Sequence, residues 1–194
     1  ENIAMVMQDV FLFSDTIGSN ISFGAGDRGN RLEYNGQYDG QRRRRGYDEQ
    51  YVRRMAAIAG ADGFISSMPD GYDTVVGERG VGLSGGQKQR LSLARALADN
   101  PSILIMDDTT SAVDMETEAE IQRHLRDLDE KKTIVTIAHR ISSVKDSDLI
   151  LVLEHGRIVE RGTHDELVAS HGRYWQIYTK QLGVDAGRSQ GFEA

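Results

Sequence analysis

Short apolar runs alternate with amphipathic segments along this chain of 194 residues, and their spacing predicts an α/β protein. The apolar runs predict strands at residues 3–7, 103–106, 133–138, 149–153 and 157–160. Helical periodicity or capping residues predict helices at 16–23, 47–59, 62–67, 87–98, 115–128, after Thr163, and at 174–182. Continuous apolar strands separated by helices favour a mostly parallel sheet that is covered on both faces.

Residues 24–46 interrupt this pattern. They are rich in Gly, Arg, Asn and Gln, and their one aliphatic side chain beyond alanine is Leu32. Such a segment has too little apolar surface to offset the entropy cost of ordering, so we predict a flexible insertion. The run Arg42–Arg45 could bind phosphate, lipid headgroups or RNA, although a run this short is usually a solvated loop. The polar tail at 183–194 is also predicted to be flexible.

Composition narrows the class of protein. The chain has 23 Lys and Arg against 30 Asp and Glu, a net charge of −7, which disfavours a general nucleic-acid binder. It has no cysteine, which excludes disulfides, thiolate metal sites and a cysteine nucleophile. No apolar run approaches the roughly 18 residues that span a bilayer, and the N-terminus does not resemble a signal peptide. We therefore expect a cytoplasmic-type α/β or α+β domain.

A glycine-rich segment, Leu83–Gln87 (LSGGQ), precedes the predicted helix at 87–98. Its serine and two glycines allow backbone N–H groups and the helix dipole to face an anion, which suits a phosphate. The same Ser-Gly pair is also an ordinary helix N-cap, so this signal alone is weak.

Acidic and imidazole side chains follow two of the predicted strands. Asp107 and Asp108 end the run that begins at Ile103, and His139 ends the run at 133–138. In a parallel sheet the carboxyl ends of the strands form the edge where ligands bind. Asp107 offers a hard oxygen ligand for Mg²⁺. Asp108 could equally only cap the next turn, and a lone histidine after a strand is more often structural.

Taken together, these motifs resemble the nucleotide-binding domain of ATP-binding cassette (ABC) transporters. LSGGQ at 83–87 resembles the family's signature motif, and SILIMDD at 102–108 resembles its Walker B strand. The other matches are to the D-loop, the Q-loop glutamine, the switch histidine and the loop that precedes the signature in exporters: Ser111–Asp114, Gln8, His139 and Thr74–Gly80.

The resemblance covers residues 3–26 and 47–182. It implies a P-loop NTPase-like α/β fold, with a partial core sheet and an α-helical signature subdomain. The helical subdomain would take up about 9–100, with the insertion inside it, and the core would take up 1–8 and 101–182.

In that family two such domains pair head to tail around two ATP molecules, at the cytoplasmic face of the membrane. The resemblance implies that Ser84, Gly85, Gly86 and Gln87 bind the nucleotide held by the partner domain. Asp107 and Gln8 would position Mg²⁺ and water, Asp108 would stand at the position of the general base, and His139 would touch the γ-phosphate. Asp114 would couple the two sites, while Glu78 and the Gln8 segment would transmit closure to the transmembrane domains.

One departure from the family is a missing motif. No G-x-x-x-x-G-K-[S/T] phosphate loop occurs in the 194 residues, and the family has that loop before the Q-loop. We therefore expect the natural protein to start earlier, with this chain as its C-terminal part without the Walker A region.

The other departure is Asp108, because the family usually has glutamate after the Walker B aspartate. Aspartate is one methylene shorter, and misplacing a catalytic group by about 1 Å can cost on the order of 10²-fold in rate. In heterodimeric exporters of this family, one of the two halves often carries such a substitution. The sequence thus suggests the degenerate half of a heterodimer.

Two other readings use parts of the same sequence. Gly82–Gly86 fits G-x-S-x-G, and Ser84, Asp107 and His139 follow the chain order of an α/β-hydrolase triad. That serine needs a strand leading directly into it, whereas Gly77, Gly80 and Gly82 interrupt the approach. The second reading is an ABC-type ATPase of DNA repair or chromosome maintenance, but the chain has no sustained heptads and its net charge is negative.

We predict that this chain alone binds ATP weakly or not at all, because the phosphate-loop lysine and its cradle of N–H groups are missing. Titration of the 194-residue chain with a fluorescent ATP analogue measures this directly. Micromolar affinity would contradict the prediction.

Overall fold

A computed structural model of the chain describes residues 3–28, 47–77, 80, 82–109, 112–128 and 132–183. Contacts divide the chain into two compact units, Glu1–Ile137 and Ala138–Ala194.

The first unit contains a three-stranded parallel sheet. Its strands are β1 (Ile3–Val6), β2 (Ile103–Asp107) and β3 (Thr133–Ile137), in the order β1-β2-β3. Val6 pairs with Met106, and Asp107 pairs with Ile137. The carboxyl ends of all three strands therefore lie along one edge of the sheet.

Five helices complete the described part of this unit, together with two 3-10 turns at Phe23–Arg28 and Gly71–Asp73. The helices are α1 (Ile17–Ser22), α2 (Glu49–Ile58), α3 (Asp62–Ser66), α4 (Gly85–Ala98) and α5 (Met115–Arg126). Four of them start at a side-chain cap that accepts a backbone N–H three residues later, and the capping residues are Thr16, Asp48, Ser84 and Asp114. Such caps satisfy N–H groups that the first helical turn leaves without a partner.

Helix α4 forms the centre of the hydrophobic core. Its buried apolar residues are Leu91, Leu93, Ala94, Leu97 and Ala98. They belong to the same core cluster as buried residues of α1, α2 and β2. The helix is thus buried over a wide arc, which fixes its position against the sheet.

A half-buried arginine joins α4 to the segment that follows β1. Arg95 donates to the Asn20 carbonyl oxygen and to Asn20 Oδ1, at 2.9 and 2.8 Å, and to the Phe11 carbonyl oxygen at 2.9 Å. Burial lowers the pKa of the Arg95 guanidinium. Asn20 is itself buried, and its Oδ1 accepts the Phe13 N–H at 2.9 Å. These bonds fix the chain just after Gln8 against the helix.

The second unit is a β-hairpin with two helices. Strands β4 (Ile150–Glu154) and β5 (Arg157–Gly162) pair antiparallel, and α6 (His164–Ala169), α7 (Arg173–Gln181) and a 3-10 turn at Ile141–Ser143 accompany them. Its small core consists of Ile150, Val152, Leu167 and Tyr174. The Glu160 carboxylate accepts the Tyr174 N–H at 2.9 Å, which links β5 to the start of α7.

The prediction of a mostly parallel sheet is wrong for the last two strands. His155 and Gly156 both have positive φ, 50° and 74°, the conformation that two-residue hairpin turns use. Coverage of the sheet on both faces is also wrong, because Ile3, Met5 and Val135 are 63%, 51% and 45% exposed.

The boundaries of two predicted segments also change. The first residues of the predicted insertion 24–46 belong to the 3-10 turn Phe23–Arg28, and residues 29–46 lie outside the described part of the chain, as do 184–194. Helix α4 begins at Gly85, two residues earlier than predicted, because Ser84 and Gln87 form a capping box that offsets the poor helix propensity of glycine. Among the described residues, no helix is long and apolar enough to cross a bilayer.

Candidate functional site

The N-terminus of α4 carries the predicted phosphate-binding residues. Ser84 Oγ accepts the Gln87 N–H at 3.2 Å, and Gln87 Oε1 accepts the Ser84 N–H at 2.9 Å. Ser84 and Gly85 are exposed at this helix end. The first turn of a 14-residue helix therefore faces solvent with its positive dipole end, which is suited to an anion. Gln87, predicted to bind nucleotide, closes the capping box here.

Gly86 allows a close approach between α4 and the chain after β2. A Cβ at this position would lie 2.6 Å from the Ala112 carbonyl oxygen and 3.3 Å from its carbonyl carbon. Because both atoms belong to the backbone, no side-chain rotation would relieve the clash. Glycine is therefore required for packing here, as well as being available for binding.

The two aspartates lie at the carboxyl end of β2. Asp107 is the last residue of the strand and is half-buried. Asp108 donates its N–H to the Ile137 carbonyl oxygen at 2.9 Å and has a φ of 47°. This left-handed conformation is uncommon outside glycine, although aspartate tolerates it better than most residues. The chain therefore turns sharply at the sheet edge where ligands bind in parallel sheets.

Gln8 follows β1 by two residues and is exposed. Since β1 is the parallel neighbour of β2, Gln8 leaves the same edge of the sheet on which Asp107 lies. The structure thus brings these two predicted magnesium-binding residues to neighbouring strand ends.

The remaining predicted site residues have other surroundings. Asp114 is the N-cap of α5 and accepts the Thr117 N–H at 2.9 Å and the Thr117 hydroxyl at 2.8 Å. These two bonds, the backbone one first, lower the pKa of the Asp114 carboxyl. His139 is exposed in the second unit, and its carbonyl oxygen accepts Gln181 Nε2 at 2.8 Å. Glu78 lies outside the described residues.

Gln89 is a residue that the sequence reasoning missed. It lies on α4 and is buried. Its Nε2 donates to the Asp108 carbonyl oxygen at 3.4 Å, and its Oε1 accepts the Ala112 N–H at 3.2 Å. The available signal was a polar residue on the buried face of the helix, three positions after Gly86.

The sequence profile of the ABC transporter family matches residues 1–111. This chain belongs to the ABC transporter family. Its fold is accordingly the P-loop NTPase-like α/β fold of ABC ATPase domains, as the sequence predicted.

Proteins of known name and structure support this membership. The uncharacterized ABC transporter ATP-binding protein YknU of Bacillus subtilis is 50% identical over 180 residues, which are 93% of this chain and 28% of that protein. The ATP-dependent lipid A-core flippase of Aliivibrio fischeri is 42% identical over 183 residues, 94% of this chain and 28% of the flippase. This ABC chain therefore spans about 28% of the length of these relatives.

A solved structure of a bacterial Atm1-family ABC exporter with ATP bound matches with a TM-score of 0.79 and 41% identity. The match covers 92% of this ABC chain and 28% of the exporter chain.

The donor atoms at the sheet edge fit Mg²⁺ held together with a nucleotide. Asp107 would supply one carboxylate and Gln8 one amide oxygen, and both are hard ligands. Among the described residues no group of three or more His, Asp or Glu side chains could hold a metal ion. Mg²⁺ commonly keeps several waters and takes one or two carboxylates plus substrate phosphates. The described residues of this ABC chain thus suit a shared site with a nucleotide.

The geometry argues against a serine hydrolase. Gly82 and Leu83 form a turn before Ser84, whereas a nucleophile elbow needs a strand leading into the serine. Ser84 Oγ also serves as the N-cap of α4. This capping role fits an ABC signature motif. Ser84 does not lie on the strained strand-to-helix turn that exposes a nucleophilic serine.

We predict that Gly86→Ala lowers the free energy of unfolding of this chain by about 1–3 kcal/mol, because the added Cβ would clash with the Ala112 backbone. Gly63→Ala is the matched control on α3, since a Cβ there would meet nothing within 4 Å. That substitution should be neutral or stabilising by up to about 1 kcal/mol. Urea unfolding measures both, and equal effects of the two substitutions would contradict the packing role of Gly86.

Proposed function

We propose that this chain is the ATP-binding and ATP-hydrolysing part of an ABC exporter, whose ATP-driven dimerisation powers transport across a membrane. The observation that carries the proposal is the exposed N-terminus of α4 together with Asp107 and Asp108 at the carboxyl edge of the sheet. The N-terminus of α4 is suited to a phosphate group, and the two aspartates are suited to its metal ion and to the attacking water. Similarity to an Atm1-family exporter with ATP bound supports the exporter assignment.

The reaction is transfer of the γ-phosphoryl group of ATP to water, for which catalysis is mainly positioning and charge stabilisation. Mg²⁺, when bound, neutralises charge on the phosphate oxygens. Asp107 and Gln8 would hold that ion and orient the attacking water. The Asp108 carboxylate accepts a proton from the attacking water, and the His139 imidazole contacts the γ-phosphate.

The partner in this proposal is a second nucleotide-binding domain, paired head to tail. The Ser84 hydroxyl and the backbone N–H groups of Gly85 and Gly86, at the N-terminus of α4, contact the ATP that the partner holds. Asp114 couples the two sites. The further partners are transmembrane domains, which receive closure through the Gln8 segment and Glu78 at the cytoplasmic face, and no nucleic acid takes part.

We expect the full-length protein that contains this chain to hydrolyse ATP in a Mg²⁺-dependent manner, with loss of activity on adding EDTA. Asp107→Asn should lower the single-turnover rate at this chain's own site by about a hundredfold, because it removes the charged metal ligand. Asp70→Asn makes the same chemical change at an exposed position next to a 3-10 turn and should leave the rate unchanged. The rate of phosphate release is measured for the unsubstituted protein and for both variants. ATP turnover insensitive to both EDTA and Asp107→Asn would contradict the proposal.

We also infer that the site of this chain is the slow one of a heterodimeric pair, because Asp108 is shorter than the usual glutamate. The chain's LSGGQ segment then completes the site of a partner that retains the glutamate. Asp108→Glu in the full-length protein should raise hydrolysis at its own site by about tenfold or more, since the carboxylate regains its reach. Single-turnover measurements separate the two sites, and an unchanged rate would count against this inference.

A further inference from the structure

Gln89 connects the signature helix to the Walker B aspartates of the same chain. The residue is 6% exposed, so its amide cannot rely on bulk water for hydrogen bonds. Its two ends bond the Asp108 carbonyl oxygen and the Ala112 N–H, at 3.4 and 3.2 Å. One side chain on α4 thus holds two points of the chain that leaves β2.

The backbone of Asp108 is hydrogen-bonded at both its N–H and its carbonyl oxygen. Its N–H is fixed by the Ile137 carbonyl oxygen at 2.9 Å, and its φ of 47° directs the chain sharply away from the strand. A left-handed residue persists only where surrounding contacts hold it. Gln89 supplies such a contact at the carbonyl side of Asp108.

The second attachment lies in the same part of α4. Gly86, one turn before Gln89, packs so closely on the Ala112 carbonyl that a Cβ would not fit. The Ala112 peptide is therefore held on its N–H side by Gln89 and contacted on its carbonyl side by Gly86. A shift of α4 along its axis moves Ala112 and the carbonyl of Asp108 together.

We propose that Gln89 is a positioning residue for Asp108, and that it links the signature motif of this chain to the hydrolytic site of the same chain. The inference rests on the proposed function, in which the N-terminus of α4 contacts the ATP of the partner's site. Movement of α4 when that ATP binds then reaches Asp108 through the Gln89 amide. The connection from α4 to Asp108 through Gln89 lies within one chain. It requires no direct contact between the two ATP sites of the paired domains.

The first test compares Gln89→Met with Gln50→Met in the full-length protein. Methionine keeps the approximate length and removes both hydrogen bonds, and Gln50 is an exposed glutamine on α2. We expect Gln89→Met to lower kcat at the site of its own chain by roughly tenfold or more, with the KM for ATP at that site changed less than about twofold, since misplacement affects the chemical step. Gln50→Met should change neither. A raised KM with unchanged kcat would overturn the proposal, as would equal values for the two variants.

A double-variant comparison asks whether Gln89 acts through Asp108. The effect of Gln89→Met on kcat is measured with Asp108 present and with Asp108→Asn. If Gln89 positions the carboxylate, its substitution should cost much less once that carboxylate is gone. An equal loss in both backgrounds would mean a merely structural role and would overturn the proposal.

Amide hydrogen exchange in the 194-residue chain provides a readout that is independent of ATPase activity. Gln89→Met should speed exchange at the Ala112 N–H by about tenfold or more, because that amide loses its acceptor. The Leu104 N–H, in the middle of β2, should exchange at the wild-type rate. Equal acceleration at both amides, or none at Ala112, would overturn the proposal. A full-length protein without ATPase activity when paired with its partner would refute the proposed function instead, and the exchange result would still show whether Gln89 holds the Ala112 peptide.

Discussion

The burial of α4 is the constraint on which the rest of the first unit depends. The helix presents apolar residues to α1, α2 and the sheet, so its axis has no freedom to rotate without exposing core side chains. Because this packing sets the orientation of the helix, it also sets where the N-terminus points, with Ser84 and Gly85 in solvent. A hydrophobic interaction therefore sets the direction of a polar site.

Much of this arrangement could be predicted from local sequence. The runs at 103–106 and 133–138 predicted the strands, and LSGGQ predicted the start of α4 to within two residues, since strand burial and helix capping depend on neighbouring residues. The antiparallel pairing of β4 and β5 could not be predicted from apolar content. It follows from the positive φ of His155 and Gly156, which a His-Gly pair indicates only weakly.

The polar contacts between distant parts of the chain could not be predicted from the sequence, for a different reason. Arg95 and Asn20 are 75 positions apart, and Gln89 and Ala112 are 23 apart, so no local spacing relates them. A buried polar side chain needs partners to offset its desolvation, and here the partners are backbone groups, which every residue carries and no sequence motif marks. The roles of Gln8, Asp114, His139 and Glu78 stay predictions from family resemblance.

Asp108 combines two opposing effects of side-chain length. Its left-handed backbone favours a short polar side chain, and the general penalty for that conformation is about 1–2 kcal/mol, with aspartate near the tolerant end. A carboxylate placed about 1 Å too far from its water costs on the order of 10²-fold in rate, which corresponds to roughly 2.7 kcal/mol. The free-energy cost of placing the carboxylate too far from its water is therefore larger than the cost of the left-handed backbone. Aspartate and glutamate also differ by only part of that backbone cost. Backbone strain alone therefore does not explain why aspartate stands here.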